Sequence, residues 1–308
     1  AMTGTYDIIV IGGGRAANLA IAAGKAGLKT ALIERDRLGG TCPNRGCVPS
    51  KLLIGFAETA RHVKEASRHF IRAELKEIYL DQIFESVNKY VAGIDGGYAG
   101  RIPDNVDLIR AEARFTGHKL IEAGGRTLTA EKIVIATASR PRPAPFFDLP
   151  VWTSDDLFPL RSGLPESLLI VGGGFIGCEM ASFFSAMGVE TKLLVRGSRL
   201  LGREDEEIEE IFQGEFRRGV DTFIGSELSD LTYDGNRFNA KINSQSRSES
   251  IQIDKVLFAI GRIPNTDMLN LDSTGISTDS RGFIPVSDDL ETAVPGIFAC
   301  GDVNGRYM

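Results

Sequence analysis

Two cysteines five positions apart, Cys42 and Cys47, flank Pro43, Asn44, Arg45 and Gly46, and no other segment carries chemistry so concentrated. Outside secreted disulfide frameworks, a close thiol pair is more often catalytic or metal-binding than structural. The zinc reading is incomplete, because no second CxxC and no nearby HxxxH supplies the remaining ligands. Cycling between dithiol and disulfide needs Cα atoms within about 7 Å, closer than a regular helix puts residues five apart, so the path must deform at Pro43 and Gly46. A helix is predicted to begin near Pro49, since proline is favoured in a first turn. A thiolate at Cys47, just ahead of that helix, is favoured by the positive end of its dipole and gains reactivity. Arg45, between the cysteines, adds a cation that favours thiolate or draws an acidic substrate. Cys178 and Cys300 lie far along the chain in apolar surroundings and read as small buried hydrophobes.

The elements that must position this pair show a repeat. Ile8-Ile9-Val10-Ile11-Gly12-Gly13-Gly14 and Leu168-Leu169-Ile170-Val171-Gly172-Gly173-Gly174 are each an apolar run that ends in glycines and passes into a helix-like stretch. Such runs suit parallel strands buried on both faces, and the glycines let the backbone turn tightly against a phosphate at the next helix N-terminus. One copy alone is matched equally by a plain strand–helix turn. Two copies imply two dinucleotides and electron transfer between them. The first reads Gly12, Gly14, Ala17, and its next strand ends at Glu34, about 20 residues on, where an acid accepts ribose hydroxyls, as the adenosine of FAD requires. The second reads Gly172, Gly174, Gly177, and its next strand, Glu190 to Val195, has valine in the place of the acid, with Arg196 and Arg199 following. Arginines hold a 2′-phosphate that an acid repels, so this half is expected to prefer NADPH to NADH, unless both arginines are merely solvated loop residues.

Lys132 to Thr137 and Lys255 to Ile260 read as strands returning beneath each nucleotide, closed by Arg140-Pro141 and by Gly261 to Asn265. Leu52 to Phe70 and Ile78 to Ile94 are amphipathic helix candidates, and Thr222 to Ile253 reads as a small antiparallel excursion. The 308 residues, 43% hydrophobic and 25% charged, suit about two globular domains. A net charge of -6 without any basic block argues against nucleic acid and anionic membrane as partners. No run approaches the ~20 apolar residues of a membrane span and no signal peptide precedes the first strand, so the expected location is cytoplasmic.

The cysteine segment with Pro49-Ser50-Lys51, the run Gly172 to Glu179, and Gly296-Ile297-Phe298-Ala299-Cys300-Gly301-Asp302 together resemble the pyridine nucleotide-disulfide oxidoreductases. That flavoprotein family includes dihydrolipoamide dehydrogenase and the glutathione, mycothione and mercuric reductases. The resemblance implies an α/β fold of two Rossmann-like three-layer domains with the small excursion. Residues 1–149 and 266–308 would form the FAD domain and 150–265 the NAD(P)H domain. It implies an FAD site of Gly12, Gly14, Ala17, Glu34, Arg35, Gly40, Thr41, Lys51, Ala113, Thr137 and Asp302. The NADPH site would comprise Gly172, Gly174, Ile176, Gly177, Glu179, Arg196, Arg199 and Gly261, with no metal. Hydride would pass from NADPH to the flavin, beside which Lys51 and Glu179 form an ion pair. Cys47 would be the flavin-side thiol and Cys42 the nucleophile toward a small-molecule disulfide.

In the family a C-terminal interface domain follows, making a homodimer and supplying a His-Glu pair. This chain ends at Met308 before such a domain, and its histidines, His62, His69 and His118, lie outside that context, so it is expected to be a fragment impaired in turnover. Ala17 and Ala138 stand where the family usually has glycine, which points to weaker FAD binding. The alternatives are an NAD-dependent dihydrolipoamide dehydrogenase and, from another class, a flavin-binding redox sensor that does not turn over.

Overall fold

Short β-rich apolar runs followed by glycine can bury both faces only if helices cover the sheet they form, and the chain does this twice. The computed structural model describes residues 3–161, 163–202, 204–245 and 248–306, without the side chain of Thr3. The chain falls into two units: Ala1–Asn44, Tyr90–Arg140 and Arg262–Met308 make the first, Arg45–Lys89 and Pro141–Gly261 the second.

In the first unit the strand Thr3–Ile11 lies between parallel neighbours Thr30–Ile33 and Arg126–Ile135, and Val106–Ile109 extends the sheet beyond Thr30–Ile33. The strand Arg126–Ile135 divides its other edge. Its first residues pair antiparallel with Leu120–Ala123, which pairs on with Ala113–Gly117, and its last residues pair in parallel with Ile297–Ala299. Side chains alternate across the sheet. Ile9, Ile11, Ile33, Ile133 and Ile135 enter one core with Ile284, Ile297 and Val303. Ile8, Val10, Leu32 and Val134 pack instead on the small residues of helix α1 (Ala17–Lys25). The helix ends where Gly27, at φ 85°, donates to Gly24 O while Leu28 N reaches back to Ala23 O.

The second unit repeats this unit of construction. Its parallel sheet runs Asp221–Ile224, Glu190–Val195, Ser167–Val171, Lys255–Phe258, Trp152–Thr153 in space. An antiparallel meander of Ser226–Tyr233, Phe238–Ser244 and Ser248–Ile253 shares its core, with Phe238, Ile242 and Ile253 meeting Leu169 and Phe258. The excursion therefore starts at Ser226, not at Thr222. Thr222 to Ile224 are the last rungs of the parallel sheet, paired with Leu193 to Val195. Helix α5 (Phe175–Ala186) ends as α1 does: Gly188, at φ 94°, donates to Ser185 O and Val189 N to Phe184 O.

Helices α2 (Thr41–Arg45) and α3 (Cys47–Glu65) occupy the cysteine segment, and α4 (Leu80–Ala99) covers most of the second amphipathic candidate. The predicted helix thus starts two residues early, with Cys47 as its first residue and Pro49 inside its first turn, where a missing N–H costs no helical bond. The break between the cysteines falls at Gly46 alone; Pro43 sits within α2. Helix α6 (Glu206–Phe216) is capped by Asp205, which accepts from Glu207 N. Among the described residues no helix is long and apolar enough to cross a membrane.

Candidate active site

In the first unit, Gly12 N donates to Ile33 O at 2.8 Å, and at φ 112° a Cβ there would stand 2.2 Å from Ala136 O. Only glycine turns the strand so sharply against its neighbour. Gly14 faces Gly40, where a Cβ would come within 2.8 Å of the Gly14 Cα, so two bare backbones line one groove beside the start of α1. That start has no side-chain cap and no acid in its first turn; Ala17, Asn18 and Leu19 N donate to the Gly14, Arg15 and Ala16 carbonyls, so what it offers an anion is the positive end of the helix dipole. Glu34 holds a fixed position: its Oε2 accepts from Gly13 N and its Oε1 from Asp36 N, each at 2.7 Å. Arg35 is exposed and lies 3.3 Å from Glu112; Thr41 opens α2, and Ala113 is buried at the start of its strand. Thr137 is clasped by Asn265, whose Nδ2 donates to Thr137 O while Thr137 Oγ1 donates to Asn265 O. Ala138 next to it has φ 57°, a left-handed conformation that costs alanine what it spares glycine. Asp302, in the turn after Ile297–Ala299, accepts from Ser139 Oγ at 2.7 Å, and Arg262 Nε donates to the same hydroxyl. A glycine-walled groove, an uncapped helix start and a fixed carboxylate fit the pyrophosphate and ribose of FAD.

The second unit reproduces these bonds. Gly172 N donates to Leu194 O, and at φ 122° a Cβ would stand 2.3 Å from Ala259 O. Gly177 packs against the turn itself, where a Cβ would lie 1.9 Å from Gly172 O, while a Cβ on Gly174 would meet nothing within 4 Å. Ile176, half-buried, and Gly177 sit in the first turn of α5, which has neither cap nor acid. The difference lies in the next strand. Where Glu34 takes the Gly13 N–H, the buried Val195 lies against Gly173 and offers no acceptor. Arg196 is exposed, whereas Arg199 Nη1 lies 3.1 Å from Glu206 and 3.0 Å from Glu209. Gly261, at φ 106°, accepts from Arg142 N. An open glycine turn without a competing carboxylate fits a pyridine nucleotide.

Cys42 in α2 and Cys47 at the head of α3 are both exposed. Four residues into α3, Lys51 Nζ meets Glu179 Oε1 of α5 at 2.5 Å. The lysine side chain is 60% exposed, so the pair adds little stability, about 1 kcal/mol at most; its effect is to fix the two helices' charged groups together. Arg45 approaches Asp155 Oδ2 at 3.8 Å, so part of its charge is offset. His62, His69 and His118 are all exposed.

The match to known proteins decides the family: the model of the pyridine nucleotide-disulphide oxidoreductases covers residues 6–308. The chain belongs to that family. Pyridine nucleotide-disulphide oxidoreductases similar to it include the dihydrolipoyl dehydrogenase of Chlamydia pneumoniae, 35% identical over 100% of this chain and 67% of the relative. The glutathione reductase of Burkholderia cepacia is 32% identical over 98% of this chain and 67% of the relative. Among solved structures, the HOCl-induced flavoprotein disulfide reductase RclA from Escherichia coli aligns at TM-score 0.85 and 29% identity, covering 98% of this chain and 67% of that one. The chain spans about two thirds of the length of these relatives.

Four residues that sequence reasoning passed over hold those it singled out. Asn265 clasps Thr137, Ser139 holds Asp302, Asp155 faces Arg45, and Glu209 faces Arg199. Asn265 had a signal in the sequence, since it closes the run Gly261 to Asn265.

Proposed function

We propose that the protein passes electrons from NADPH, by way of FAD, to the Cys42–Cys47 pair and on to a small-molecule disulfide. The observation that supports this most is the Lys51–Glu179 ion pair, which links the helix headed by Cys47 to the helix that follows the second glycine turn. On this reading Gly12, Gly14, Gly40 and the start of α1 take the FAD pyrophosphate, and Glu34 takes the ribose. The turn at Gly172 and Gly174 takes the nicotinamide nucleotide, and Arg196 and Arg199 face its 2′-phosphate. The valine at 195 favours NADPH over NADH, because no carboxylate stands there to bind free ribose hydroxyls or repel a phosphate. The resemblance to its family supports the further proposal that the protein works as a cytoplasmic homodimer.

When bound, FAD supplies two-electron exchange between the nucleotide and the disulfide. Two electrons and two protons open the Cys42–Cys47 bond to a dithiol. Cys42, as thiolate, attacks one sulfur of the acceptor, whose S–S bond breaks and releases one thiol. Cys47 then attacks the Cys42 sulfur of this mixed disulfide, the second thiol leaves and the internal disulfide re-forms. The exposure of both cysteines favours this sequence.

Anaerobic titration with NADPH tests the proposal. The FAD-loaded chain is expected to accept two electrons beyond those taken by the flavin, and the Cys47→Ser variant to stop at the flavin. Wild-type protein that also stops there would be a redox sensor rather than a reductase. The 35% identity to a dihydrolipoyl dehydrogenase favours a second reading, in which NADH is the partner; faster reduction by NADH than by NADPH would select it.

A further inference from the structure

We infer that Glu209, a buried carboxylate on α6, is a specificity-determining residue that weakens the hold of the arginine loop on a 2′-phosphate, so that NADH is accepted beside NADPH. The inference rests on the proposal that the second unit binds a pyridine nucleotide.

Helix α6 turns Glu209, Phe212, Gln213 and Phe216 inward, the spacing of a core stripe, yet the first of them is an acid. Ile208 and Ile211, which burial would favour, are 59% and 63% exposed. The Glu209 side chain is 2% exposed, and neither of its oxygens accepts a hydrogen bond. A carboxylate in that position is costly unless a cation answers it. Arg199 does so through one nitrogen, Nη1, 3.0 Å from Glu209 Oε2, and the same nitrogen lies 3.1 Å from Glu206 Oε1. The loop that carries this arginine is tied both to α6 and to the glycine turn: Leu200 N donates to Gln213 Oε1, and Leu201 N to Gly173 O. Glu209 therefore sits where the arginine loop meets the nucleotide turn.

The charges decide the consequence. Two carboxylates face the single guanidinium of Arg199, and that group of three is net negative. Arg196, exposed and without an acidic partner among the described residues, is left as the cation available to a phosphate. An incoming dianion must compete with Glu206 and Glu209 for Arg199. The buried member of that pair is poorly screened by salt, so its repulsion persists at physiological ionic strength. A nucleotide without the 2′-phosphate avoids this competition and meets only Val195.

The test is calorimetric titration of the full FAD-loaded chain with adenosine 2′,5′-bisphosphate and with 5′-AMP. Glu209→Gln is expected to bind the bisphosphate about tenfold more tightly, with 5′-AMP unchanged, since removing one charge a few ångströms from an anion is a change of that order. Glu209→Met supplies the same loss of charge with an apolar side chain suited to the core stripe, and is expected to give the same gain if the amide variant folds poorly. Unchanged or weaker bisphosphate binding in either folded variant, with 5′-AMP binding intact, overturns the inference and makes Glu209 a brace for Arg199. If wild-type protein binds neither ligand, the nucleotide reading of the second unit fails first, and the inference with it.

Discussion

Cys178 sits one residue before Glu179, in the first turn of α5, with its Sγ 3.7 Å from Gly173 O, and takes no part in the proposed chemistry. Burial, and then the nearby Glu179 carboxylate, push its thiol up to about 12 from an ordinary 9.0, and burial also raises Cys300. Both are protected as neutral thiols while Cys42 and Cys47 face solvent. After reduction, alkylation of the native protein at mildly alkaline pH is expected to label Cys42 and Cys47 and to spare Cys178 until denaturant is added; mass spectrometry of the labelled peptides reads this directly. The shift also has a thermodynamic sign. A thiol whose folded value exceeds its unfolded one stabilises the fold fully below pH 9, and that contribution drains away as pH rises toward 12, by up to about 1.4 kcal/mol per unit. The urea midpoint should therefore fall over that range, and Cys178→Ala should flatten the fall; equal slopes in both proteins would contradict it. At this scale the sequence identified residues by type and spacing, as with Cys42, Cys47 and Glu34. It could not identify Glu209, because a glutamate between isoleucines reads as the solvated face, and only the packing of the folded chain buries that side of α6.

The strand–turn–helix elements depend on glycines that do different things, and the geometry separates them. Gly177 lets α5 approach the turn so closely that a Cβ would stand 1.9 Å from Gly172 O, a backbone atom that cannot step aside. Gly177→Ala should cost about 3 kcal/mol or more, comparable to severe overpacking, and appear as a large drop in Tm. Gly174 has open space where its Cβ would go. Gly174→Ala should keep Tm within about 2 °C of wild type, as for a strain-free site, while weakening 5′-AMP binding, because the added methyl projects where a phosphate would approach. A Tm loss in Gly174→Ala equal to that of Gly177→Ala would reject this division of roles. These elements were legible in the sequence because apolar runs, terminal glycines and the next strand's last residue are local signals. Boundaries were less so. Thr222 to Ile224 read as part of the meander since the threonine and alternating pattern suit either sheet, and only pairing with Leu193 to Val195 assigns them. Helix α3 began earlier than Pro49 implied because proline is tolerated anywhere in a first turn, not only at its first position.

At the scale of the molecule, the two units are built from interleaved segments, and the chain re-enters the first unit twice and the second once. Their cores are unequally exposed to truncation. The apolar cluster of the second unit is drawn from residues between Ala144 and Ile260, whereas that of the first unit takes Leu269, Leu271, Ile276, Ile284, Val294, Ile297, Ala299 and Val303 from the C-terminal segment. A chain ended after Gly261 would lose all of those, the strand Ile297–Ala299 and Asp302, while keeping every core residue of the second unit. Losing several buried side chains at about 2–5 kcal/mol each exceeds the 5–15 kcal/mol that holds a domain folded. The shortened protein is therefore expected to purify without flavin absorbance, yet to bind 5′-AMP by calorimetry within about threefold of the full chain, a difference of under 1 kcal/mol. Flavin retained by the shortened chain would mean that the first unit does not need its C-terminal strand. Loss of 5′-AMP binding would mean that the second unit's nucleotide turn draws its stability from outside its own core.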